Sequence, residues 1–172
     1  MLNRLRIVNK PEVSTFVKWC YQILVIFIAT LMVFFAYASF FTPMGSLGIA
    51  ALIGTTVLDA IMLLILRSLH KTRYILTERE LHIETTKLIG GEKRIPLEEV
   101  QSVEKTLIPL GIKLFGASFH GGCYNIPGLG RTFLTMTNFK DGLLIKTQNR
   151  SYIITPKDPL SFKDAIETKI YT

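Results

Sequence analysis

Cysteine and histidine are scarce in this chain, with two of the first and three of the second among 172 residues. Cys20 and Cys123 are too few and too far apart for a disulfide framework, so both are expected as free thiols. His120 and Cys123 flank two glycines, but no second pair of metal-ligating residues stands nearby. A four-ligand zinc site is therefore not expected, nor is any other metal or cofactor. The same pair has no evident orienting acid, which argues against a Cys/His nucleophile. Gly128-Leu129-Gly130-Arg131 lacks the Lys-Ser/Thr ending of a phosphate loop. Glu98 and Glu99 are adjacent, so on a helical turn they diverge by about 100° instead of converging on one substrate. Nothing here assembles a catalytic constellation, and the expectation is a protein that is not an enzyme.

Charge is missing from one long stretch. Between Trp19 and Leu66 the only formally charged residue is Asp59. Two apolar runs, Trp19 to Phe41 and Leu47 to Leu66, are joined by Thr42, Pro43, Met44, Gly45 and Ser46. A bilayer core about 30 Å thick is crossed by about 20 helical residues rising about 1.5 Å each. Both runs reach that length. The plan is a transmembrane helical hairpin over residues 1–70, with helices near 19–41 and 47–69, then a soluble domain over 71–172. Ala36-Tyr37-Ala38 has the small-x-small spacing of signal cleavage, but the run before it exceeds the about 7 to 15 residues of a signal core.

Arg4, Arg6, Lys10 and Lys18 precede the first run, Arg67, Lys71 and Arg73 follow the second, and the connection has no Lys or Arg. This asymmetry puts a multi-pass protein in the cytoplasmic (inner) membrane with both termini in the cytoplasm. The formal net charge is +7, but residues 70–172 contribute only +4, spread along the chain. The excess suits an anionic leaflet, so the lipid bilayer is an expected partner and nucleic acid is not.

Within the second run Gly48, Ala51, Thr55 and Asp59 recur at steps of three and four, on one helix face. Gln22, Ala29 and Ala36 offer a stripe on the first. Small residues there allow close helix packing. Asp59 stands level with Ile26 in an antiparallel hairpin and meets no evident polar partner there. It either shares hydrogen bonds with Thr55 and its own helix or meets a polar group on another copy or another membrane protein.

After Leu69 the period turns to alternation. Residues 74–76 and 81–85 read as strands around a Glu78-Arg79-Glu80 turn, followed by strands near 92–95, 100–107, 131–137, 143–147 and 151–155. Leu97 to Val100 reads as a helical turn. Asp158 before Pro159 is an N-cap signal, and Phe162, Ala165, Ile166 and Ile170 share one face of a closing helix. About seven short strands and one helix make an α+β domain, a small β-barrel or sandwich with a helix over one open end.

These residues resemble the bacterial pleckstrin-homology-like (PH) domain family. The resemblance is carried by Tyr74-Ile75-Leu76-Thr77 with Leu81 and Ile83, Ile95-Pro96-Leu97-Glu98-Glu99-Val100 with Val103, and Thr137-Asn138 with Asp141-Gly142-Leu143-Leu144-Ile145. Tyr152-Ile153-Ile154-Thr155-Pro156-Lys157-Asp158-Pro159 with Phe162 completes it, and it covers roughly Lys71 to Ile166. It implies a helical hairpin followed by a PH-like barrel, a scaffold or recognition module without assigned catalysis. Eukaryotic PH domains that hold phosphoinositides use basic residues around the first hairpin. That turn is Glu78-Arg79-Glu80 here, so no phosphoinositide is expected.

Residues 107–130 depart from that pattern, with six of the twelve glycines, two prolines and a single charge, Lys113. Read as a specialised loop, the segment fits three uses. Irregular strands and bulges could place Leu107, Leu110, Leu114 and Phe115 in the core. Leu114, Phe115 and Phe119 could face the membrane surface or the hairpin. Or the loop, with Leu114, Phe115, Phe119, His120 and Cys123, forms an interface. The expected function is a membrane-anchored scaffold or recognition protein that forms a homo-oligomer or joins another membrane protein. The alternative is an accessory subunit of a transporter or sensor that uses Asp59 as an intramembrane charge.

Overall fold

The structure, a computed structural model, describes residues 6–11, 13–43, 45–116, 118 and 120–171. It divides into two compact units, Thr15–Arg67 on one hand and Met1–Ser14 with Ser68–Thr172 on the other.

The first unit is two helices, α1 (Thr15–Phe41) and α2 (Gly45–Lys71), the latter running four residues into the second unit. Each starts earlier than its apolar run and is long and apolar enough to cross a membrane. Their side chains fit that use. Phe16, Trp19, Ile26, Phe34 and Phe40 on α1, and Leu47, Ile53, Val57 and Leu64 on α2, are exposed, as a core helix of a soluble domain would not leave them. The hydroxyls of Thr30, Ser39, Thr42, Thr55 and Thr56 donate to carbonyls three or four residues back, leaving few polar groups for lipid to meet. Gly48 is the point of close approach: a Cβ there would stand 2.5 Å from Ser39 Oγ and 3.1 Å from its Cα. The buried positions of α1 are Val17, Ile28 and Ala38. Of the expected stripe of Gln22, Ala29 and Ala36, the first two are exposed and Ala36 is half-buried, and it is Ser39 that meets the glycine of α2.

Among the described residues the second unit has ten strands in two sheets. The first sheet, ordered β1-β2-β3-β4, comprises β1 (Ile7–Asn9), β2 (Arg73–Leu76), β3 (Glu80–Glu84) and β4 (Lys93–Pro96), all antiparallel. A 3-10 turn at Leu97–Glu99 leads on. The second sheet contains β5 (Val100–Leu107), β6 (Ile112–Phe115), β7 (Gly121–Ile126), β8 (Gly130–Thr135), β9 (Asp141–Thr147) and β10 (Ser151–Ile154). Its order is β5-β9-β10-β8-β7-β6, with β10 parallel to β8 and the other pairs antiparallel.

Register explains the core. In β8, β10 and β9, Phe133, Tyr152 and Ile145 align across one face, with Val103 of β5 next. They pack against Tyr74, Leu76, Leu81, Ile83 and Ile95 of the first sheet. One residue along, Leu134, Ile153 and Leu144 align on the opposite face and cluster with Tyr124, Ile126 and Met136. Burial on both faces is why β10 reads Ser-Tyr-Ile-Ile without polar alternation. Helix α3 (Pro159–Ile170) starts where Asp158 accepts from the Ser161 N–H at 3.2 Å, and lays Phe162 and Ile166 into the first core, with Ala165 and Ile170 beside them.

One strand differs from the sequence expectation, and two fall where it left alternatives open. β1 lies in the stretch assigned to the hairpin, so residues 7–9 belong to the β unit although they precede α1. β6 and β7 occupy the segment read as a specialised loop and take its irregular-strand form, but leave Leu107, Leu110, Leu114 and Phe115 outside the core. Their residues pair in register as Ile112 with Asn125 and Lys113 with Tyr124, then slip before Phe115 meets Cys123.

Candidate functional site

Two surfaces of the β unit carry chemistry. The first is its sheet edge at β6. Leu107, Leu110, Ile112, Leu114 and Phe115 do not complete the core: Leu110 is 94% exposed and Phe115 69%. Among the described residues β6 has a neighbour on one side only, so it presents apolar side chains beside an unpaired strand edge. Among the predicted loop residues, Leu114 and Phe115 lie on this edge, while Phe119 lies outside the described residues. His120 is buried, its ring 5.6 Å from that of Phe139. Burial, assisted by the Lys113 cation and opposed by hydrogen bonding at Met136, holds it below the usual histidine range. Cys123 is half-buried. The structure thus separates the predicted set into two exposed apolar residues and two more enclosed ones.

Glycine geometry holds the segment in place. A Cβ at Gly121 would meet the Ile89 carbonyl oxygen at 1.9 Å, so β7 runs directly under the Thr86–Gly91 turn. Gly122 has φ +123° and would place a Cβ 2.2 Å from the Phe115 carbonyl oxygen, which lets β6 fold close onto β7. The Thr86 carbonyl in turn accepts from the N–H groups of Ile89, Gly90 and Gly91 at 2.9, 3.2 and 2.9 Å.

The second surface is the cleft this turn helps to wall. It is open, about 450 Å³ in volume, and ringed by Lys87, Lys93, Arg131 and Arg150, with Phe115 and Phe133 in its walls. Lys93 Nζ stands 5.2 Å from the centre of the Phe133 ring. Sequence reasoning missed this cleft, because its cations come from the β3–β4 turn, β4, β8 and the β9–β10 turn and cluster only after folding. The signal available was weak: a basic residue at each of two turns.

In the helical unit Gly48 is buried, and Ala51, Thr55 and Asp59 are half-buried. Thr55 Oγ1 donates to the Ala51 and Leu52 carbonyls, each at 3.0 Å. Asp59 Oδ1 is closed to solvent, and no hydrogen bond reaches it among the described residues.

The order of strands, the 3-10 turn and the closing helix accord with a match to a family model, the bacterial PH domain, over residues 72–170. The chain belongs to the bacterial PH domain family. No curated protein and no solved structure matches it. The PH domain accounts for β2 through α3, whereas β1 lies outside the matched range, precedes both helices in sequence and completes the first sheet.

Proposed function

We propose that this protein is a membrane-anchored, non-catalytic PH-like scaffold that works by assembly at the inner leaflet, the β6 edge being covered by a second copy or another membrane protein. The observation that carries this reading is the row of exposed apolar side chains, Leu110, Ile112 and Phe115, beside an unpaired strand edge. Such an edge invites a partner strand or apolar surface. The anchor is supported by the two exposed apolar helices. Orientation is supported by the Lys and Arg residues flanking the pair, and the placing of both flanks on one side by β1 and β2. These strands lie on either side of the helical pair and share one sheet, which favours an even number of crossings.

Size measurement in nanodiscs by light scattering, with affinity purification from native membranes, tests the reading. The expected result is a species larger than one chain, or a co-purifying membrane protein, lost in Ile112→Lys/Phe115→Lys. A lone monomer with no partner overturns it.

Asp59 favours a second reading, an accessory subunit of a transporter or sensor with an intramembrane charge. The support is its enclosed Oδ1 with no hydrogen bond among the described residues. Unchanged assembly size and partners in Asp59→Leu would remove that reading.

A further inference from the structure

We infer that the cleft between the Thr86–Gly91 turn, β8 and the β9–β10 turn is a binding site for a phosphate-bearing anion. Four cationic side chains, Lys87, Lys93, Arg131 and Arg150, line it, and no Asp or Glu does. None of the four makes an ion pair among the described residues. Three other lysines of the domain do meet a carboxylate, Lys105 with Asp141 at 3.3 Å, Lys146 with Glu104 at 3.0 Å and Lys163 with Glu167 at 2.7 Å, whereas scattered surface cations such as Arg79 and Lys140 do not; what sets the four apart is that they share one concavity. Gathering like charges round one concavity without a counter-charge raises the local potential, which draws an anion in.

The donors match phosphate. Two guanidinium groups offer planar forks suited to pairs of phosphate oxygens, two ammonium groups add point charges, and Asn149 contributes an amide. Phe115 and Phe133 supply apolar wall, and about 450 Å³ is more than a bare phosphate fills. The ligand class is therefore a phosphate ester whose body lies against the aromatic rings, either a soluble compound or an anionic phospholipid headgroup. The cleft is at the opposite end of β3 from the Glu78-Arg79-Glu80 turn, so it is separate from the first hairpin. It does not depend on the assembly reading.

Cys123 lies in the cleft and serves as the reporter. The full chain carrying Cys20→Ser, reconstituted in phosphatidylcholine nanodiscs, keeps Cys123 as its single thiol. Its alkylation by neutral iodoacetamide is followed against inorganic pyrophosphate at constant ionic strength, and in a second arm in nanodiscs containing phosphatidylglycerol without pyrophosphate. Saturable slowing of at least fivefold is expected in one arm or both. Its midpoint should move at least tenfold in Arg131→Gln/Arg150→Gln, return to within threefold in Arg131→Lys/Arg150→Lys, and stay put in Lys105→Gln/Lys140→Gln, which removes equal charge elsewhere. Slowing by pyrophosphate alone assigns a soluble ester, and slowing by phosphatidylglycerol assigns the headgroup. No slowing in either arm, or slowing that survives Arg131→Gln/Arg150→Gln, overturns the proposal.

Discussion

Replacing Tyr74 by phenylalanine removes one oxygen from the centre of the β unit. That oxygen is fully buried, donates to the Thr135 carbonyl at 3.1 Å and accepts from the Thr155 N–H at 3.3 Å. It thereby links β2 of the first sheet to the ends of β8 and β10 in the second. The ring itself, 6.4 Å from that of Phe162, is kept by the substitution, so the packing loss is small. What remains is a buried amide and a buried carbonyl deprived of a partner, each costing about 1–3 kcal/mol, offset by no longer burying the hydroxyl. We expect a net loss of about 2 kcal/mol, or on the order of 30-fold in the opening equilibrium. Hydrogen exchange of the full chain in detergent micelles, read on peptides covering β2 and β10, measures it. The pH dependence gives an independent check. Burial pushes the Tyr74 phenol up to about 12. The unfolded chain releases that proton first, near pH 10, so native stability falls between about pH 10 and 12, by about 3 kcal/mol in full. The phenylalanine variant lacks this loss, and its deficit should shrink from pH 9 to pH 11. Protection that falls less than threefold, or a deficit that stays constant with pH, refutes the reasoning.

Gly121→Ala should cost several kcal/mol and free the Thr86–Gly91 turn, since its Cβ would collide with backbone at Ile89, which has no rotamer to give way; urea midpoints and proteolysis at Lys87 report this. Stability should also fall on acidification below about pH 6.5, with a slope of up to about 1.4 kcal/mol per pH unit. The unfolded chain takes up the His120 proton there, while the buried native imidazole, held low, does not. His120→Gln should flatten that slope in urea titrations across pH 5 to 7.

Much of the architecture could be read from residue pattern. Leu81 and Ile83 alternate with Glu80, His82 and Glu84 as a half-buried strand must, and the observed burial follows that alternation. Asp158-Pro159 marked the start of α3 because a side-chain acceptor followed by a fixed φ has few other uses. The bounds of β6 and β7 escaped because glycine carries no hydropathy. Gly121 and Gly122 hide the alternation of a strand whose partner is apolar on the outside. β1 escaped for another reason: three residues between Arg6 and Lys10 form a strand only because β2, which follows both helices in sequence, offers an edge. The parallel β8–β10 pair and the basic cleft depend on contacts distant in sequence, which no local window contains.

The pairing of Asn9 with Tyr74 also orders events during synthesis. The residues of β1 are made before the helices, but must wait until both helices have been made before β2 exists to receive them. Closing that register is a molecular record that the helical pair has been completed, and a chain stalled between the helices would expose an unmatched β1. Removing the helices should accordingly be done by bridging Ser14 to Ser68 with a linker, because starting the chain at β2 discards a strand along with the anchor.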